Sequence, residues 1–241
     1  MKKRSLLSMF VLAALMLSSC NVFFPLDPGS QITESRPVSG FHEVRFSTAG
    51  ELFITQGDLE SLQIEAGRNI MPHIITEVKN GVLLIGMDNT SWNSYISRPM
   101  IFNLSVKDLD GINLSGAGNI ETEELISTDM NIDLSGAGNI SVENLQANSV
   151  DSNLTGAGNI SLAGAVPMQI VLLTGLGYYQ ADDLESNNVF VEVTGAGSAT
   201  VWAVDSLDVE ITGAGSVSYY GSPQVSQDVS GLGSVRSQGD K

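Results

Sequence analysis

Cysteine, histidine and, over half the chain, basic residues are scarce in this sequence of 241 residues. The single cysteine, Cys20, excludes a disulfide within the chain. Only two histidines are present, and no Lys or Arg occurs at 108–235, where 17 Asp or Glu residues stand. This stretch would repel nucleic acid and anionic lipid, so we expect no nucleic-acid partner. It could attract cations or basic proteins, or it could be an ordinary solvated face.

The second half of the sequence is instead rich in one repeated motif. The segment LSGAGNI at 114–120 returns at 134–140 and, as LTGAGNI, at 154–160, and looser copies start at Leu173, Val193, Ile211 and Val229. The Ser or Thr of successive copies are 20, 20, 19, 20, 18 and 18 residues apart. Such a period is typical of a solenoid.

Apolar and polar residues alternate before most copies of the motif, as in Ile112-Asn113-Leu114. This alternation predicts a half-buried strand, and an apolar residue such as Ile120 returns after the glycines. Because glycine adopts positive φ cheaply, we expect each Gly-x-Gly to form a corner between two strands. The sequence therefore predicts an all-β fold, a right-handed parallel β-helix or solenoid of about seven coils of 18–20 residues. Leu134 and Leu154 would lie in an interior column.

The first half carries strand-like segments but no clear period from Thr33 to about Val106. Asn80-Gly81, between two apolar runs, predicts a β-hairpin. Because the first coil of a solenoid has to be covered, we expect this part to be a β-rich cap that shares the core of the repeats. The predicted boundaries are 33–110 for this part and 111–241 for the repeats, within one continuous domain.

The front of the chain has the features of a secretory signal peptide. Lys2, Lys3 and Arg4 precede an apolar run at 6–17 that is too short to favour a permanent membrane span. The LSSC segment at 17–20 resembles the lipobox of bacterial lipoproteins, in which the signal is removed and the cysteine is lipidated. We therefore expect a signal peptide at 1–19, lipid attachment to a membrane at Cys20, and a tether at 20–32. What is known of such lipoproteins implies, with Asn21 after the cysteine, the outer membrane of the cell envelope.

The corner glycines carry no nucleotide-binding signature, since the third glycine and the following helix of a phosphate-binding loop are absent. We therefore expect the following residues to be structural: Gly116, Gly118, Gly136, Gly138, Gly156, Gly158, Gly175, Gly177, Gly195, Gly197, Gly213, Gly215, Gly231 and Gly233. A calcium β-roll needs a shorter repeat with Asp after the glycines. Asn119, Asn139 and Asn159 are instead expected to form a stacked amide ladder. No metal-ligand spacing and no cofactor motif is found, so we predict neither.

Catalytic residues are not evident. A polysaccharide-active enzyme on a β-helix would need clustered carboxylates with Arg, Lys or His on one face. Asp182 and Asp183 are adjacent, so on a strand they would point to opposite faces. His42 shares a strand face with Val44 and Phe46, which predicts a partly buried, hydrogen-bonded histidine. A site assembled from distant positions stays open as an alternative.

Aromatic residues are the remaining signal for binding. Trp92 and Tyr95 lie in a polar segment, where they could stack on sugar rings or contact a partner, or could close the end of the core. Tyr179 and Tyr219 occupy inward positions, so we expect them to pack inside.

Several features together resemble the auto-transporter adhesin head GIN domain family. They are the SGAGNI repeats, the lipoprotein-type signal, the Asn80-Gly81 hairpin and the YGSP run at 220–223. The resemblance extends from about 38 to 235. It implies a β-helical, secreted or lipid-anchored protein, and it supplies no catalytic residues. Tyr178 and Tyr179 replace the Asn-Ile pair, and Leu176 and Leu232 replace Ala, so we expect local distortion of those corners.

We therefore predict a lipid-anchored envelope protein with a non-catalytic binding or adhesin-like role, whose partner is a glycan or an envelope protein. One alternative is a polysaccharide-active enzyme on the same fold. A second is a scaffolding protein that polymerises end to end. The sequence leaves the oligomeric state open.

Overall fold

The structure, a computed structural model, describes residues 27–88 and 99–241. Within those residues it is built of strands, with one short 3₁₀ helix at Met71–His73. The strands of the first half are β1 (Gln31–Arg36), β2 (Glu43–Phe46), β3 (Gly50–Gln56), β4 (Ser61–Gly67), β5 (Ile74–Lys79), β6 (Val82–Met87) and β7 (Ile101–Val106). Those of the second half are β8 (Gly111–Leu114), β9 (Gly118–Thr122), β10 (Leu125–Ile126), β11 (Asp129–Leu134), β12 (Asn139–Gln146), β13 (Ser149–Leu154), β14 (Asn159–Leu173), β15 (Tyr178–Val193), β16 (Ser198–Ile211), β17 (Ser216–Tyr220), β18 (Gln224–Val229) and β19 (Ser234–Ser237).

Each coil of the second half has a strand before the corner, a strand after it and a short third side. β11 pairs in parallel with β13 so that Leu134 opposes Leu154, and β12 pairs in parallel with β14 so that Asn139 opposes Asn159. Both pairings keep the 20-residue step of the sequence. The predicted parallel β-solenoid is confirmed, and its turns number about six, close to the expected seven.

Apolar columns fill the interior of the solenoid. Leu114, Leu134 and Leu154 are each 0% exposed and lie in register, which confirms the predicted column. Tyr179 is buried in the same core, and Tyr219 packs against it from a partly buried position, as expected. Full burial of a leucine side chain contributes about 1.5–3 kcal/mol. Burial of these columns therefore stabilises the stacking of successive coils.

The first half caps the solenoid, as expected. β6 pairs in parallel with β2, and β7 pairs in parallel with β3. The two strands therefore continue the sheet on the side of β2 and β3 that faces away from the repeats. β5 folds back on β6 as an antiparallel hairpin. β4 pairs antiparallel with β7, and β1 pairs antiparallel with β4. At the hairpin turn, Asn80 and Gly81 have φ of 52° and 80°, the left-handed values that an Asn-Gly pair adopts readily. The buried residues of both halves form one cluster.

The expectation that the first half lacks the repeat is wrong for β2 and β3. Phe46 opposes Leu114 and Leu52 opposes Ile120, with residues 47–50 forming a corner between them. Thr48 stands where the next corner has a glycine, and residues 57–110 separate this coil from the next copy. Both differences hide the coil from a search for a constant period.

The corner glycines are required for a different reason from the one that the sequence suggested. None of the fourteen has a positive φ, so the expectation based on left-handed backbone is wrong. Instead, a Cβ on Gly136 would lie 2.0 Å from the carbonyl oxygen of Gly116, and a Cβ on Gly156 would lie 2.0 Å from that of Gly136. Close approach of successive coils therefore excludes a side chain here.

A column of amides beside the corners confirms the predicted ladder. Asn139 Nδ2 donates to Asn119 Oδ1, and Asn159 Nδ2 donates to Asn139 Oδ1, both at 2.8 Å. Asn119 donates in turn to the Glu51 carboxylate at 3.2 Å. The next position in the column is Tyr178, where the ladder ends. Because a shift of one residue would break every rung, the ladder helps to fix the register.

The corners that carry leucine keep the hydrogen bond that joins the residue between the two glycines to the preceding coil. Leu176 N donates to Gly156 O at 3.1 Å, and Leu232 N donates to Gly213 O at 3.0 Å. The corner at Leu176 also keeps the bonds from Gly175 N to Leu154 O and from Tyr178 N to Gly158 O, so the expected distortion is wrong there. The larger side chains point into solvent, where Leu176 is 71% exposed and Leu232 is 92% exposed, so the corner has no need to change.

Candidate functional site

A groove of about 900 Å³ lies where the cap meets the solenoid. The coil formed by β2 and β3 has no third side, because the chain leaves the solenoid after β3 to build the cap. Later coils have a third side, and the groove lies where this side is missing. β10 is the first strand of that third side, and among the described residues it pairs only with β12. The edge of β10 that faces the cap is therefore left without a strand partner and forms one wall of the groove.

The side chain of Gln56 takes the place of the missing strand. Its amide nitrogen donates to the carbonyl oxygens of Lys107 and Ile126, at 3.0 Å each. Its amide oxygen accepts from Ile126 N at 2.7 Å. These bonds give a partner to three backbone groups along the groove. Gln56 thus fixes the segments on both sides of the groove relative to β3.

Six carboxylates line the groove and one lysine joins them. The carboxylates belong to Asp58, Asp108, Glu121, Glu123, Glu124 and Glu143, and the lysine is Lys107. The surplus of negative charge produces a negative potential, and a concave surface concentrates it. The groove therefore favours neutral or cationic ligands over anionic ones.

Two apolar side chains add a contact surface to this polar lining. Phe53 is 37% exposed and Ile126 is 56% exposed. Phe53 points outward from β3 because its neighbours Leu52 and Ile54 point inward, where they are 0% and 3% exposed. Sequence reasoning missed this site, although three successive apolar residues on an alternating strand signal that one of them faces solvent.

The two histidines lie outside the groove. His42 Nδ1 is 2.9 Å from Asp110 Oδ1, and His73 Nδ1 is 3.1 Å from Asp88 Oδ1. The expectation that His42 is partly buried is wrong, because its side chain is 56% exposed and lies in the bend before β2, where strand alternation does not extend. The hydrogen bond and the charge of Asp110 raise the pKa of His42 above its usual value.

Asp182 and Asp183 do not diverge as neighbours on a regular strand would. The pairing of β15 with β16 is irregular at this point. The ammonium group of Lys241 donates to the backbone oxygen of Asp182 and to Asp183 Oδ1, and it lies 3.7 Å from Asp182 Oδ2, so both side chains face it. The same ammonium lies 5.6 Å from the ring centre of Trp202 and 5.2 Å from that of Tyr220. The expectation of opposite faces is therefore wrong, and the two residues hold the C-terminal lysine.

A buried polar cluster lies in the core, away from the groove. The hydroxyl of Tyr179 accepts hydrogen bonds from Gln169 Nε2 at 3.0 Å and from Ser152 Oγ at 3.5 Å. Burial raises the pKa of Tyr179 well above its usual value, so the hydroxyl stays neutral. All three side chains are at most 2% exposed, so the cluster offers no access to a ligand.

Three residues singled out in the sequence, Cys20, Trp92 and Tyr95, lie outside the described residues. Lipid attachment and aromatic ligand contact at these positions stay predictions. Within residues 27–88 and 99–241, no group of three or more metal-ligating side chains comes together. No helix in the same residues is long and apolar enough to cross a membrane.

A family model described as "Putative auto-transporter adhesin, head GIN domain" matches residues 40–223. The chain is also similar to a solved structure from Bacteroides fragilis described as a "putative adhesin", with 27% identity, a TM-score of 0.83, and coverage of 86% of this chain and 97% of that one. A "putative lipid binding protein" from Parabacteroides distasonis is 22% identical, with a TM-score of 0.70 and coverage of 87% and 97%. A "putative adhesin" from Parabacteroides merdae is 22% identical, with a TM-score of 0.68 and coverage of 87% and 96%. No curated protein matches the chain.

The family match spans most of the chain and includes β2 and β3 as well as six of the seven corners identified in the sequence. It confirms the resemblance inferred from the repeats. The chain belongs to the auto-transporter adhesin head GIN domain family.

Proposed function

We propose that the chain is a non-catalytic, adhesin-type binding protein of the cell envelope and that the groove between β3 and β10 is its contact site. The observation that carries this proposal is the groove lining, in which carboxylates, hydroxyls and the exposed ring of Phe53 come together without His or Arg. Polar groups around an apolar surface suit the binding of a small molecule or polymer segment. Membership of an adhesin family supports the same role.

A glycan fits this lining best. Phe53 offers an exposed ring on which a sugar can stack, and the carboxylates accept hydrogen bonds from sugar hydroxyls. Because the groove is acidic, neutral sugars and amino sugars would bind better than uronic acids or phosphorylated sugars. The proposed ligand is therefore an envelope or surface polymer that contains neutral or amino sugars.

The test is a glycan and envelope-polymer binding screen with product analysis in the same wells. The parent protein carries Cys20→Ser so that no lipid is attached, and lipid vesicles form a further arm of the screen. Phe53→Ser should weaken binding about tenfold, the loss of one stacking contact. Ile75→Ser, at a 42% exposed position on the cap, is the matched control.

The outcomes of this screen separate the candidate functions. Affinity that is unchanged by Phe53→Ser would contradict the assignment of the groove. Because paired carboxylates also serve glycoside hydrolysis, product formation would replace the proposal by a polysaccharide-active enzyme on the same fold. Binding to vesicles alone would replace the glycan by a lipid.

We also infer that lipid on Cys20 attaches the mature chain to the outer membrane. The LSSC segment after a signal-like run supports this inference. Each buried CH₂ of an acyl chain contributes about 0.8 kcal/mol to membrane binding, so two or more chains hold a protein firmly. Fractionation of cells that express the wild type or Cys20→Ser tests the anchor. Retention of the variant in the outer-membrane fraction would contradict it.

Scaffolding by end-to-end association is a second candidate, and the last coil favours it. Among the described residues, β18 pairs only with β16 and β19 pairs only with β17. All six residues of β18 are exposed, including Val225 and Val229 at 39% each. An open edge can recruit a further strand. Oligomers that form at high concentration and disappear with Val229→Lys would support scaffolding, whereas a monodisperse monomer would remove it.

A further inference from the structure

One coil departs from the repeat at three outward positions. The column before the corner holds Asn113, Asp133 and Asn153 and then Leu172. The corner itself holds Ala117, Ala137 and Ala157 and then Leu176. The column after the corner holds Asn119, Asn139 and Asn159 and then Tyr178. A polar or small residue is thus replaced by a large apolar or aromatic one three times within seven residues.

These side chains face solvent rather than the core. Leu172 is 37% exposed, Leu176 is 71% exposed and Tyr178 is 59% exposed. Their chain neighbours Leu173 and Tyr179 already fill the interior at 2% and 1% exposure, so core packing does not require the apolar residues outside. Their size and polarity therefore call for another explanation.

Met168 extends the same surface. It is 41% exposed and lies on β14 four residues before Leu172, so the two side chains share a face of the sheet. We call Met168, Leu172, Leu176 and Tyr178 the apolar belt. It crosses two faces of the solenoid and the corner between them, and it shares no residue with the lining of the groove.

The shape of the belt indicates how a partner would meet it. Leu172 lies between Asn153 and Glu192, and Tyr178 lies between Asn159 and Ser198, so polar residues border the belt on both sides. Contiguous exposed apolar surface with a polar border is typical of protein interaction sites. Leu176 lies at the corner between the two faces and is the most exposed of the four, so it would be the central contact with an apolar face of the partner.

Charge discriminates between the possible partners. Glu192 borders Leu172, and no Lys or Arg occurs at 108–235. A second copy of the chain would bring carboxylates against carboxylates, and an anionic lipid surface would also be repelled. We propose that the belt docks a different protein, whose contact surface has an apolar face bordered by Lys or Arg.

The experiment uses two synthetic peptides as probes. One is an amphipathic peptide of Leu and Lys, and the other has Glu in place of each Lys. The parent is the full chain with Cys20→Ser. The restored-repeat variant adds Leu172→Asn, Leu176→Ala and Tyr178→Asn, the residues that the preceding coil carries at these positions, and its melting temperature shows whether the fold is kept.

Calorimetric titration is expected to show that the Leu/Lys peptide binds the parent and binds the restored-repeat variant at least about tenfold more weakly. Leu232→Ala, at a 92% exposed corner outside the belt, should bind as the parent does. If the triple variant does not fold, Leu176→Ala alone replaces it, since the preceding corners carry alanine, and it should weaken binding about threefold.

Three outcomes would overturn the proposal. Equal affinity of the parent and the restored-repeat variant would show that charge alone attracts the peptide. Equal binding of the Leu/Glu peptide would contradict the charge argument. Zwitterionic phosphatidylcholine vesicles that bind the parent and not the variant would assign the belt to a lipid surface instead of a protein.

Discussion

Replacing Gly136 by alanine tests whether coil stacking requires the corner glycines. The new Cβ would lie 2.0 Å from the carbonyl oxygen of Gly116, whereas ordinary contact begins at 3.4 Å, so the coils would have to separate by about 1.4 Å at this point. Two hydrogen bonds cross the same gap. Gly136 N donates to Leu114 O at 3.1 Å, and Ala137 N donates to Gly116 O at 3.0 Å.

The size of the effect follows from these two bonds. A separation of this size would stretch both bonds beyond the length at which they are effective. Each backbone hydrogen bond contributes about 0.5–1.5 kcal/mol, and a buried group left unpaired costs about 1–3 kcal/mol more. Because the corner is partly open to water, part of the second cost is avoided. We expect Gly136→Ala to lower the free energy of unfolding by about 2–4 kcal/mol.

Chemical denaturation followed by circular dichroism measures this loss. Gly57→Ala is the matched control, because its Cβ would meet no atom within 4 Å and its φ is not positive. That control should be neutral, or stabilising by about 0.4–1 kcal/mol through the unfolded state. Equal stability of the two variants would refute the stacking argument.

Three further predictions concern the core, the ladder and His42. Leu134→Asp places an unpaired charge at a fully buried position, so the array should unfold cooperatively; a retained strand signal with an unchanged melting temperature would show that the register is wrong. Asn139→Ala removes two rungs of the ladder and should cost about 1–2 kcal/mol in denaturation experiments, whereas no change would mean that the rungs are not formed in solution.

His42 should titrate above 6.5 by NMR, and Asp110→Asn should lower its pKa toward that value. Because the pKa of His42 is raised in the folded state, the pair stabilises the fold fully below pH 6.5. This stabilisation is lost as the pH rises through the folded-state pKa. An unchanged pKa in Asp110→Asn would contradict this account.

The solenoid could be predicted from sequence because stacking in register forces equivalent residues to recur. Leu114, Leu134 and Leu154 occupy one interior column, so an apolar residue has to return at this position once in every coil. The same constraint made the amide ladder predictable, since Asn119 and Asn139 share one column. Repeats of this kind record their three-dimensional neighbours directly in the sequence.

The groove could not be predicted, because it depends on where the chain leaves the solenoid. The coil formed by β2 and β3 is separated from its neighbour by residues 57–110, and Thr48 obscures its corner. Without that coil, nothing in the sequence places Phe53 near Glu121 and Ile126. In the sequence, the acidic residues are indistinguishable from a solvated face, because nothing there shows that this coil lacks a third side.

Two predictions from local backbone rules were wrong, one about the corner glycines and one about His42. The corner glycines were attributed to turn conformation, whereas the distance from Gly136 to Gly116 is the actual constraint. Strand alternation was extended to His42, but β2 begins one residue later. In both cases a rule about the local backbone was applied where contacts between coils or the end of a strand decide the outcome.

Titration of the polymer found in the glycan screen into the parent protein and Phe53→Ser, with product analysis, tests the central claim most directly. The account predicts binding by the parent without any product and affinity about tenfold weaker for Phe53→Ser. Product formation, or equal affinity of the two proteins, would contradict it.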